Sequence, residues 1–94
     1  MSDPRFSRAE GIVHRWVDDK VLALRRDGTA STIEGLAAIV WEVTGTPRTT
    51  DQVEAATRDL APGERRNDPA IRGLVVDAIA TLTAAGLLVE QRSD

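Results

Sequence analysis

Asp27-Gly28 is the feature that most restricts what this chain can become. It separates residues 20–25, where Val21, Leu22, Ala23 and Leu24 form a near-continuous apolar run, from residues 29–33, which are β-branched but nearly free of large apolar side chains. An Asp-Gly pair tolerates the positive φ that a hairpin turn demands, so the two runs fold back on each other as antiparallel strands. The first reads as a central, covered strand. The second, Thr29-Ala30-Ser31-Thr32-Ile33, reads as an edge strand with at most one covered face and a free edge.

Upstream, residues 12–17 are β-branched and aromatic, and Asp18-Asp19 supplies turn chemistry before the next strand. Downstream the period changes. Leu36, Ile39, Val40 and Val43 form one helical stripe over residues 35–44, which Gly45 and Pro47 stop. A competing start exists, because Ser31 with Glu34 fits a capping box and would leave a third strand of only about three residues. A later start, with Glu34 near the cap, keeps the stripe intact.

Thr49 or Thr50 caps a second helix over residues 51–60, with Val53, Ala56, Thr57 and Leu60 inward. Residues 61–67 carry Pro-Gly and a charge cluster and form an exposed loop. Asp68-Pro69 opens a third helix over residues 69–85, with Ile71, Leu74, Val75, Ala78, Ile79 and Leu82 on its buried face and Gly86 closing it. Residues 87–89 form a hydrophobic return or a short extra strand. Residues 1–11, with Phe6 as the only apolar anchor, read as a flexible arm ahead of a single domain over residues 12–90. The expected fold is therefore α+β and winged-helix-like: a three-stranded antiparallel sheet followed by a three-helix bundle.

Ninety-four residues allow one modest core and no large enclosed cleft. A net charge of −3 argues against a partner held mainly by phosphates. No cysteine is present, so thiolate catalysis and Cys-based metal binding are excluded. His14 lacks neighbours at ligand spacing and reads as structural, Asp18-Asp19 as turn formers, and Trp41 as core, ahead of an interface role for Trp16 and Trp41. There is no phosphate-cradling loop and no nucleophile–base pattern, so no enzyme, cofactor or metal is expected. The start of the chain has no apolar signal-like region and no run approaches the roughly 20 residues needed to span a bilayer, which suggests a cytoplasmic protein.

The run Ile33-Glu34-Gly35-Leu36-Ala37-Ala38-Ile39-Val40-Trp41-Glu42-Val43, then Gly45, Pro47-Arg48-Thr49 and Val53, resembles the middle of PqqD-like peptide chaperones, the RiPP recognition elements. The stretch from Ala78 to Leu88, with its Leu-x-x-x-Gly-Leu ending, is similar to that family's last helix. In order and spacing the resemblance spans residues 17–89. It implies binding of the leader segment of a ribosomally made precursor peptide, as a strand added beside strand three, in a groove closed by the third helix. It also implies partners: a modifying enzyme or leader peptidase, as in quinone-cofactor maturation or lasso-peptide assembly. Ala30 and Ser31 are smaller than the family's usual residues, which implies large leader side chains and a deep groove.

Adding a strand satisfies edge N–H and C=O groups, while pockets set the choice of peptide. The expected peptide-binding residues are Thr29, Ala30, Ser31, Thr32 and Ile33 on the strand, with Arg72, Val76, Ile79, Ala80 and Thr83 on the third helix. Arg25, Arg26 and Arg72 are expected to attract acidic leader residues. Set against this, Val76 widens the buried stripe of a helix covered on two sides, and the edge is capped by the N-terminal arm or pairs with a second copy in a homodimer. A winged-helix DNA-binding regulator is the competing function, disfavoured because the third helix offers only Arg72 as a reading cation. A small dimeric structural subunit is the third.

Overall fold

The computed structural model describes residues 3–61 and 63–91. Its strands are β1 (Arg5–Arg8), β2 (Val13–Val17), β3 (Lys20–Leu24), β4 (Ala30–Ile33), β5 (Arg48–Thr49) and β6 (Leu88–Gln91). Its helices are α1 (Leu36–Val43), α2 (Thr50–Leu60) and α3 (Ala70–Ala84). The expected antiparallel sheet is present as β2-β3-β4, followed by the three helices, in the α+β, winged-helix-like order.

The hairpins follow from their turn residues. Val17 pairs with Lys20 across Asp18-Asp19, and Asp18 takes the positive φ of 58° that this two-residue connection requires. Between β3 and β4 Gly28 sits at φ 90°, while Asp27 Oδ1 accepts from the Thr29 amide (2.9 Å) and hydroxyl (2.6 Å). Those Thr29 donors hold the Asp27 carboxyl below its usual range. Val21, Ala23 and Ile33 face the core, but Leu22 and Leu24 are exposed. The central strand is thus covered on one face only, a correction to the sequence reading: its apolar run arises from two faces with different surroundings.

The capping box at Ser31 does not form. Ser31 lies in β4, where its hydroxyl accepts from Arg25 Nη1 at 2.9 Å, and Gly35, at φ 65°, precedes α1. A second box does: Thr49 Oγ1 accepts from the Gln52 amide and Gln52 Oε1 from the Thr49 amide, fixing the start of α2. Asp68 Oδ1 receives the Ala70 amide at 2.9 Å at the start of α3. At its other end Leu87 N–H donates to Leu82 O and Gly86 N–H to Thr83 O, the paired bonds of a Schellman cap. That cap turns the chain directly into β6.

The first residues depart most from expectation. Arg5–Arg8 is not a loose arm but the central strand of a second sheet, β5-β1-β6, pairing Arg5 with both Thr49 and Gln91. Phe6 and Ser7 are buried there. Arg8 donates to Trp41 O (3.0 Å) and Glu42 O (3.2 Å) at the C-terminal end of α1, with its guanidinium 4.9 Å from the Trp41 ring, so a cation meets the negative end of a helix. Met1 and Ser2 of the expected arm, and Pro62 of the expected loop, lie outside the described residues.

Trp41, fully buried, anchors a core built from Val21, Val40, Val53, Val75, Leu87 and Leu88. His14 packs edge-on against it at 5.3 Å, a structural position. Trp16 is half-exposed, and its Nε1–H donates to Glu42 at 3.3 Å. No helix among the described residues is long and apolar enough to cross a membrane.

Candidate functional site

β4 pairs with β3 alone, so its other side is a free sheet edge among the described strands. The ladder identifies which backbone groups point there. The Arg25 amide donates to Thr29 O at 2.9 Å, which makes Arg25 and Thr29 a hydrogen-bonded pair. Antiparallel pairs alternate, so Ala23–Ser31 and Val21–Ile33 are also bonded pairs, and the N–H and C=O groups of Ala30 and Thr32 point outward. Thr29 belongs to the turn, its amide and hydroxyl held by Asp27, so the edge is four residues long and not five.

Arg25 joins this edge strand to α3. Nη1 donates to Ser31 Oγ (2.9 Å) and Nη2 to Ala85 O (2.7 Å), while Nη1 also lies 3.4 Å from Thr29 Oγ1. Beyond the other end of β4, Gly35, Leu36 and Ile39 share a cavity with Ile71 and Leu74 of α3, to which Arg65 and Asp68 add charge. The cavity holds about 380 Å³. Leu74, Ala78, Thr81 and Ala85 stand at helical spacings of four, three and four along one line of α3. Both ends of that line are tied to residues flanking β4, Ala85 through Arg25 and Leu74 through the cavity.

The sequence-expected residues of α3 lie elsewhere. Val76, Ile79, Ala80 and Thr83 line a separate apolar recess of about 460 Å³ with Phe6 and Thr50, and no residue of β4 lines it. Arg72, the single basic residue of α3, is bound to Asp51 and to Glu54 (2.8 Å) of α2. These carboxylates raise the Arg72 pKa, and Arg72, then Arg58, hold the Glu54 carboxyl below its usual range. Arg72 is thus engaged with the α2 carboxylates, with about half of its side chain exposed.

The structure therefore brings Ala30, Ser31, Thr32 and Ile33 together as an edge and sets the expected helix residues on the opposite flank of α3. Leu74, read from the sequence as core, is 45% exposed and lines the cavity beside the edge. The signal that distinguishes the flanks is the three-dimensional position of Arg25, which no periodicity carries.

No family model and no curated protein matches the chain. Among solved structures, it is similar to TbiB1 in complex with the TbiA(beta) leader peptide, with a TM-score of 0.68 over 94% of this chain and 99% of that one. At 19% identity the two share a fold.

Proposed function

We propose that this chain binds the leader segment of a ribosomally synthesised precursor peptide as a strand added to β4, and hands it to a modifying enzyme or leader peptidase. It is read as a non-catalytic, cytoplasmic adaptor of the PqqD-like kind, in a pathway of the lasso-peptide or radical-enzyme type. The observation that carries this reading is the outward-pointing backbone of Ala30 and Thr32 beside the Leu74–Thr81–Ala85 line. Its support from outside is a fold shared with a protein solved in complex with a leader peptide.

An added strand gains backbone hydrogen bonds at the edge, and alternate side chains enter the space toward α3. The cavity at Leu74 accepts an apolar side chain, with Arg65 and Asp68 able to orient a polar one. Two or three buried peptide side chains contribute about 1.5–3 kcal/mol each. Ordering a flexible peptide costs several kcal/mol, which puts Kd between about nanomolar and micromolar.

The test is a fluorescence titration, using Trp16 beside the cavity, with synthetic leaders of precursor peptides encoded next to this gene. Saturable one-to-one binding is expected. Failure of every such leader to bind sinks the proposal.

A further inference from the structure

The outer face of the β2-β3-β4 sheet is left uncovered among the described residues, and its composition departs from that of a solvated sheet. Val13, Leu22 and Leu24 are 69%, 39% and 46% exposed. They are direct or diagonal neighbours, since Val13 is paired with Leu24 and Leu24 with Ala30. With Ala30 and Arg15 they line a shallow, almost wholly apolar depression. Half-solvated antiparallel sheets place polar residues outward, and a contiguous apolar patch on such a face marks an interaction surface.

The charged residues within the strands of this face are basic, and the acid that meets one of them, Glu34, lies just beyond β4. Along the three strands the residues on this face are Val13, Arg15, Val17, Lys20, Leu22, Leu24, Ala30 and Thr32, which include two cations and no carboxylate. Lys20 is paired with Glu34 at 3.4 Å. Arg15, opposite Leu22, forms no ion pair among the described residues, nor does Arg26, whose side chain packs beside Gly11 at the Val13 end. In a chain of net charge −3, two unpaired guanidinium groups border an apolar patch.

We infer that this face docks a folded protein partner whose contact patch is apolar and bordered by carboxylates. Charge complementarity selects that occupant. A second copy in two-fold contact would set the same face against itself and bring the unpaired Arg15 to a surface whose strands hold no acid and whose bordering Glu34 is already held by Lys20. A nucleic acid gains little from two cations around an apolar centre. The inference goes beyond peptide binding and does not depend on it, because the patch is a sheet face and the peptide site a sheet edge.

The experiment measures binding of the full chain to the purified protein products of the genes flanking its own, by calorimetry at two salt concentrations. Four forms are compared: wild type, Leu22→Thr with Leu24→Thr, Arg15→Glu, and Leu74→Asp. Threonine keeps strand propensity, and both leucines are exposed, so circular dichroism should report an unchanged fold. For one product, the double variant is expected to weaken binding at least about tenfold. Arg15→Glu should weaken it about fivefold and reduce its salt dependence, while Leu74→Asp, on α3 and away from this face, leaves it unchanged.

Absence of binding by every product overturns the inference, as does equal binding by the double variant. A wild-type dimer in sedimentation that the double variant converts to monomer overturns it in favour of a second copy. Because Leu74→Asp reports on the cavity beside the β4 edge and lies off the sheet face, loss of leader binding and loss of partner binding are read separately.

Discussion

Arg25 Nη2 donates to the carbonyl of Ala85 at 2.7 Å, tying the loop after β3 to the last turn of α3. Its other nitrogen holds Ser31 on β4, so one guanidinium sets the spacing between the free edge and the helix beside it. Hydrogen bonds to a charged donor contribute about 1.5–3 kcal/mol where water is excluded, less at a partly exposed site such as this.

Arg25→Ala should therefore lower unfolding stability by about 1 kcal/mol in urea titration and weaken leader binding about tenfold or more. Arg25→Lys keeps the charge but cannot span both acceptors with one planar fork. It should recover stability only in part and leave affinity close to that of the alanine variant. Full rescue by lysine would mean that charge alone matters and that the fork does not set the spacing.

Proline substitution separates the two sides of β4. Thr32 points its N–H outward, so Thr32→Pro removes a donor that no described strand uses, and edge positions accept proline. Circular dichroism and melting temperature should change little, while leader affinity falls at least about tenfold. Ser31 donates inward to β3, so Ser31→Pro breaks the internal ladder and should cost about 3 kcal/mol of stability. If Ser31→Pro folds normally and Thr32→Pro does not, the outward-pointing groups of β4 belong to Ser31 and Ile33 instead of Ala30 and Thr32.

What the sequence carried, and what it did not, divides along the range of the interactions. The Asp27-Gly28 turn, the Asp68-Pro69 start and the Gly86 stop are set by residues within a few positions of one another, and each lies where the local chemistry puts it. The β5-β1-β6 sheet was illegible because Arg5 finds Thr49 and Gln91, partners far along the chain, and a four-residue strand with one large apolar side chain has no period of its own. The edge at residues 30–33 was legible from its small polar residues. Which flank of α3 stands beside that edge was not, since Leu74 and Val76 both border the buried stripe, and only tertiary contacts such as Arg25 with Ala85 tell them apart.

Those two residues give the third prediction. Leu74 is 45% and Val76 44% exposed, so an aspartate at either should cost little stability, and the difference between them is one of position. Leu74→Asp puts a charge into the cavity beside β4 and should weaken leader binding at least about tenfold. Val76→Asp alters the recess formed with Phe6 and Thr50 and should leave affinity within about twofold. The reverse result would move the peptide to the recess side of α3.

The acid limb of stability should report on Glu54. Arg72, then Arg58, lower its pKa from a reference of 4.5, so it binds a proton less readily folded than unfolded. The stabilisation is accordingly complete above that reference value and is lost as pH falls through the lower folded value. Asp27, lowered from 3.8 by its Thr29 hydrogen bonds, contributes in the same direction at more acid pH. Urea midpoints measured from about pH 6 to pH 3 should fall for the wild type and fall less steeply for Glu54→Gln, which removes the titrating group while keeping a side chain of similar shape. At pH 6 the variant should be the less stable of the two, because Arg72 and Arg58 lose a charged acceptor, and the two curves should converge toward pH 3. Parallel curves would show that the links from Glu54 to Arg72 and Arg58 contribute nothing measurable in solution.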